Sequence, residues 1–237
     1  MRILAFETSA KAASVALLEE DRLLGEYYMN CGQTHSRTLM QMVQELLDNC
    51  GLTPADVTAV ACAAGPGSFT GVRIGVAAAK GFAWGRELPC VGVSTLEGMA
   101  QQAAIFDGLI CCAMDARREQ VYNALFSCEG GRLTRLTKDR AISLEELEQE
   151  LKKHEKMKIM VGDGAQLCYN TCSEHVPGCI LAPEQIVMQR ASGIALCARR
   201  QFLTGAAFDG AALEPNYLRL SQAERERSER MKQSKGE

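Results

Sequence analysis

Histidine is nearly absent from this sequence: His35, His154 and His175 are the only three in 237 residues. They lie far apart, and no His-Glu-x-x-His spacing places two imidazoles on one helix face to seat a metal. No Gly-x-Ser-x-Gly elbow occurs, so neither serine nor cysteine has a base that the sequence reveals. These absences exclude the common hydrolase constellations. Long apolar runs are missing too, since none approaches the ~20 residues that span a bilayer. The opening MRILAFETSAKAAS carries one arginine and then an acid. It lacks the extended apolar core of a secretion signal and reads instead as a first β-strand. A soluble, cytoplasmic chain is the expectation. A basic face is also lacking. Formal net charge is −3, and in the densest charged stretch Arg225, Arg227 and Arg230 alternate with Glu224, Glu226 and Glu229. Such alternation marks a solvated end, so nucleic acid is not expected to be held mainly by this chain.

What is present is an ordinary globular balance, 47% hydrophobic and 23% charged, at a length for one large domain or two modest ones. Eleven cysteines run from Cys31 to Cys197 without a Cys-x-x-Cys pair. Cys62, Cys111 and Cys112 sit inside apolar runs, as reduced thiols do when they serve as small hydrophobes. The closest approach to a zinc spacing is Cys168, Cys172 and Cys179 with His175, the less favoured alternative.

The chain reads as one pattern given twice. Strands are expected at 3–6, 13–18 and 23–29, a helix at 36–50 closed by Gly51, a strand at 57–64, a helix from Ser68, a strand at 89–93 and a helix at 95–105. The second half repeats the order: strands at 109–114, 121–126 and 133–137, a helix at 143–154 opened by a capping box from Ser143 to Glu146, a strand at 158–161, a helix at 165–174, a short strand at 179–181 and a helix at 188–203. Each half is βββαβαβα, and both openings are an apolar strand ending in a carboxylate (Glu7, Asp115), a polar turn and a second apolar strand. A duplicated unit explains this better than coincidence. The expected boundaries are an N-terminal lobe at 1–106, a C-terminal lobe at 107–220 and a charged tail at 221–237, disordered or helical.

Two such lobes facing each other resemble the actin-like ATPase (ASKHA, ribonuclease H-like) α/β fold, in which the hairpin turns grip phosphates. Turns of that kind need glycine so that backbone N–H groups reach the anion. Neither turn here, from Glu7-Thr8-Ser9 or from Asp115, contains one. The stretch GPGSFTGVRIGVAAAKGFAWG, Gly65 to Gly85, is no better: its glycine spacing fits neither the dinucleotide fingerprint nor the P-loop. Its glycines read as a strand-to-helix turn built for close packing. The weak remnant of a nucleotide cleft is Glu7, Thr8, Ser9, Asp115, Gly162 and Gly164.

The segments MRILAFETS, GPGSFTGVRIGVAAAKG, LPCVGVSTLEGMA, MDARREQVYNALF, VGDGA and PNYLRL together resemble the TsaB (YeaZ) family, from Met1 to about Leu220. The resemblance implies a non-catalytic partner of TsaD, which transfers a threonylcarbamoyl group to the tRNA adenosine beside the anticodon (the t6A modification). It also implies TsaE as a further partner, tRNA met only through the complex, no cofactor and no metal. Self-association of the isolated chain stays open. Where TsaD carries a metal-holding His-x-x-x-His, this chain has Thr95 and Met99, poor ligands for a hard divalent ion or zinc. The alternative function is a self-sufficient actin-fold ATPase or small-molecule kinase.

Helical projection then gives the helix from Ser68 an inner side of Gly71, Gly75, Ala78, Ala79 and Phe82. Its outer side carries Arg73, Ala77, Lys80 and Trp84, with Phe69 and Val76 beside them. On the helix at 36–50, Leu39, Val43, Leu46 and Cys50 form a core stripe, leaving Met40, Met42 and Leu47 outside its centre. Outward methionine and aromatic residues suit a partner surface. The expected interface is Met40, Leu47, Phe69, Arg73, Val76, Ala77, Lys80 and Trp84.

Overall fold

Alternate residues of the first strand, Arg2–Glu7 (β1), enter two different cores. Leu4 and Phe6 join Val15 and Leu17 on one face, while Ile3 and Ala5 join Ala16 and Leu18 on the other. Burial on both faces is why RILAFE is a continuous apolar run rather than an alternating one. The computed structural model describes residues 1–205 and 210–219; the charged tail at 221–237 lies outside the described residues.

β1 pairs antiparallel with Ala13–Glu19 (β2), which pairs with Arg22–Met29 (β3). On its other edge β1 pairs parallel with Ala59–Gly65 (β4), followed by Cys90–Ser94 (β5), giving the order β3-β2-β1-β4-β5. Helices His35–Asn49 (α1) and Phe69–Trp84 (α2) cover the face of Leu4 and Phe6. Thr95–Gln102 (α3) follows β5.

The second sheet repeats this plan. Gly108–Arg117 (β6) pairs antiparallel with Gln120–Glu129 (β7), and β7 with Arg132–Arg135 (β8). On its other edge β6 pairs parallel with Lys158–Val161, which pairs with Cys179–Leu181. One strand was not expected: Arg140–Ser143 (β9) also pairs with β7, opposite Gln120–Asn123. Four residues carry too few alternations to announce a strand. Leu144–Leu151 (α4) then starts with the expected capping box, Ser143 and Glu146 each serving the other's backbone. The strands Lys158–Val161 and Cys179–Leu181 are β10 and β11, with Ala165–Cys172 (α5) between them. A short helix, Glu184–Val187 (α6), and Ala191–Leu203 (α7) complete the chain's regular elements up to residue 205.

The flanking helices do not follow chain order. Ala191, Ile194, Ala195, Cys197 and Ala198 of α7 fill the second face of the first sheet, against Ile3, Ala5, Ala61 and Val93. Leu213 is also buried in the first lobe's core. Alanines on strand and helix let the two approach closely, and sequence order carries no signal of which sheet a terminal helix covers. In turn Leu96, Met99 and Ala100 of α3 are buried with the second lobe's core. Among the described residues no helix is long and apolar enough to cross a membrane.

Candidate functional site

The glycine-rich stretch meets the first hairpin turn. Ser68 caps α2 by accepting the Gly71 N–H at 3.3 Å, and its own N–H goes to the Ser9 carbonyl at 2.7 Å. Thr8 Oγ1 donates to the Gly71 carbonyl at 2.8 Å. A Cβ at Gly71 would lie 2.1 Å from the Thr8 carbonyl oxygen, and one at Gly75 2.4 Å from Thr8 Oγ1. These two glycines let the helix lie directly on the turn.

Glu7, Thr8 and Ser9 are buried. Glu7 Oε1 accepts the Ser9 N–H at 2.6 Å, and Oε2 has no partner among the described residues. Burial pushes the Glu7 carboxyl up to about 7, opposed by the hydrogen bonds from Ser9 and reinforced by the Asp163 carboxylate. Burial likewise raises Asp163, which accepts from Gln189 Nε2 at 3.2 Å. Asp115 is exposed and accepts the Arg117 N–H at 2.7 Å. Both hairpin carboxylates thus bind the backbone two residues on. The amides of Gly162 and Gly164 donate to the carbonyls of Val187 (2.6 Å) and Ala113 (3.1 Å). Backbone or side-chain groups of Glu7, Thr8, Ser9, Asp115, Gly162 and Gly164 thus bond within the chain, while Ser9 Oγ, like Glu7 Oε2, is buried with no partner among the described residues.

Thr95 begins α3 and Met99 lies one turn further on, both buried at the junction of the lobes, and Thr95 Oγ1 has no partner among the described residues. Among the described residues no three His, Cys, Asp or Glu are grouped to hold a metal. Cys168 and Cys172 lie in the second core, where burial pushes each thiol up to about 12. His175 stands exposed beside Glu148 at 3.6 Å.

The outer surface of α1 and α2 differs from projection at two interface positions. Leu47 is 0% exposed and Val76 5%, so neither is available to a partner. Buried positions on α1 are Leu39, Met42, Val43, Leu46 and Leu47, a stripe of i, i+3, i+4, i+7, i+8 that is wider than projected because the helix packs on both the sheet and α2. Met42, expected outside the centre of the core stripe, is likewise buried. On α2 the buried stripe runs through Val72, Gly75, Val76, Ala79 and Ala83, rotated from the projected arc. Met40 (48% exposed) and Trp84 (73%) do stand in solvent, with Arg73 and Ala77 exposed and Lys80 half-buried. Phe69 is half-buried because Tyr217 stacks on it, ring centroids 4.7 Å apart. Sequence reasoning missed Tyr217, since nothing local links residues 148 positions apart.

Two duplicated mixed sheets of order 3-2-1-4-5, swapping their flanking helices, define an actin-like ATPase fold. The Clostridium difficile activator of 2-hydroxyisocaproyl-CoA dehydratase, solved with bound ADPNP, shares it with a TM-score of 0.51 over 87% of this chain and 97% of its own. At 11% identity that likeness concerns the fold alone. A family model described as TsaD, tRNA N6-adenosine threonylcarbamoyltransferase, matches residues 29–226. The tRNA threonylcarbamoyladenosine biosynthesis protein TsaB of Bacillus subtilis (strain 168) is 36% identical over 226 residues, 94% of this chain and 96% of the relative. YeaZ from Pseudomonas aeruginosa superposes with a TM-score of 0.75 at 26% identity, covering 92% of this chain and 99% of that one. The chain belongs to the TsaB family, whose members take part in tRNA threonylcarbamoyladenosine biosynthesis.

Proposed function

We propose that the chain is a non-catalytic subunit that pairs with TsaD and activates threonylcarbamoyl transfer to a tRNA adenosine. TsaE joins the assembly, and tRNA is reached through the complex. One observation carries this proposal: the elements that grip phosphate in an active actin-like enzyme are spent here on internal contacts. The first turn is pinned to α2 by Ser9 and Thr8, and the Gly162 and Gly164 amides bond to backbone carbonyls. Thr95 and Met99 add a hydroxyl and a thioether where a metal-dependent transferase needs imidazoles. The chemistry is therefore assigned to the partner.

Exposed Met40, Ala77 and Trp84, with Arg73 and Lys80 beside them, support a helix-on-helix contact with that partner. Large apolar anchors next to a small residue suit interaxial distances of about 8–10 Å. Formation of the modified nucleoside on unmodified tRNA tests the proposal, with TsaD and TsaE present and this chain added or omitted. Strong stimulation by the chain, with no turnover by the chain alone, is expected. Equal turnover without it, or transfer by the chain alone, overturns the proposal.

A further inference from the structure

The segment after α7 returns across the molecule and contributes the ring that covers the start of α2. Leu213 anchors it in the first lobe's core, and the Asn216 N–H donates to the Ala64 carbonyl at 2.6 Å. Arg219 Nη1 then donates to the Ala116 carbonyl at 2.9 Å, on the second lobe's hairpin turn. Between these ties Tyr217 lies nearly parallel to Phe69, at an interplanar angle of 16°, and its hydroxyl accepts from Arg73 Nε at 2.7 Å. The Arg73 guanidinium lies 5.5 Å from the Tyr217 centroid and 6.0 Å from that of Phe69. Tyr217 nevertheless remains 41% exposed.

We infer that Tyr217 is a contact residue for the TsaD-type partner, completing the α2 surface from the far end of the chain; this rests on the pairing proposed above. Residues 69, 73 and 77 follow at i, i+4 and i+8 along one row of α2, which Trp84 extends by two further turns. Tyr217 sits over the first member of that row, so a helix lying along it from Trp84 meets Tyr217 at its end. The ring is already ordered by stacking and by the bond its hydroxyl accepts from Arg73. Docking against it therefore costs little conformational freedom, the property that makes tyrosine and arginine frequent energetic anchors. Beside the ring the surface dips only slightly, between Val72, Tyr122 and Leu218. The cationic plane of Arg73 calls for a carboxylate on the partner helix facing it. The occupant is thus a helix of the transferase subunit that carries an acid opposite Arg73.

Affinity for TsaD, measured by titration calorimetry with the full chain, tests this. Tyr217→Ala is expected to weaken pairing at least tenfold. Tyr217→Phe, which keeps the stack but loses the Arg73 bond, should fall between it and the unaltered chain. A photo-crosslinking benzoylphenylalanine at position 217 should attach to TsaD, which decides the matter even where Tyr217→Ala fails to fold. Unchanged affinity of a folded Tyr217→Ala, or crosslinks only to a second copy of this chain, overturns the inference while leaving the functional proposal standing. Failure of the unaltered chain to bind TsaD removes both.

Discussion

Glu7 holds a carboxyl whose proton is shared unequally between folded and unfolded states. Its ordinary value of 4.5 applies to the unfolded chain, whereas burial raises it to about 7 in the fold. Between those values the folded protein keeps a proton that the unfolded chain releases, so stability falls as pH rises through that window and levels off above it. Complete ionisation costs on the order of 3 kcal/mol. Glu7→Gln keeps an acceptor for the Ser9 N–H and removes the titration. Urea unfolding at pH 5 and pH 8 is expected to show the variant gaining on the parent at the higher pH. Parallel curves for the two proteins would assign the burial penalty elsewhere. Asp163, also raised chiefly by burial, acts in the same direction.

At the scale of elements, α2 has two tasks that its sequence keeps on separate faces. Gly71 and Gly75 settle on Thr8, and Val72, Val76, Ala79 and Ala83 fill the core. Ala77 is exposed between Arg73 and Trp84. Ala77→Arg is expected to abolish pairing with TsaD while leaving the thermal melt close to the parent's. Arginine is a good helix former on a wet face. At a helix–helix contact it overpacks by about 1–3 kcal/mol and strands a charge. Together these effects weaken binding about a hundredfold or more, at ~1.4 kcal/mol per tenfold. Co-elution of a folded Ala77→Arg with TsaD places the contact on another face.

For the molecule as a whole, the closed turns predict poor use of nucleotide. The isolated chain is expected to bind ATP more weakly than about 10 μM, or ~7 kcal/mol. The donors Thr8 Oγ1 and Ser9 N–H are paired to the Gly71 carbonyl and the Glu7 carboxylate, and the Gly162 and Gly164 amides are paired within the second lobe. Tighter binding by calorimetry would return the self-sufficient ATPase to consideration. The same closure joins the lobes: Ala10 of the first turn is buried in the second core, as are Leu96 and Met99 of α3.

The sequence by itself determined the duplicated strand-helix order, the capping box at Ser143 and the glycines that mark close approach. These are local properties, since strand period, cap chemistry and the absence of a Cβ act over a few residues. Tertiary structure decided what depends on distant partners. Leu47 and Val76 are buried because α1 packs on the sheet and α2 together, which a single-helix projection does not contain. Helix α7 covers the first sheet although it follows the second, because Ile3, Ala5 and Ala61 leave an apolar face there that Ala191, Ile194, Ala195 and Ala198 fill. Tyr217 reaches Phe69 by the same logic, as Leu213 is drawn into the first core and carries the ring behind it. Burial of apolar surface is non-directional, so it fixes these long-range pairings only once the whole fold has chosen which faces remain uncovered.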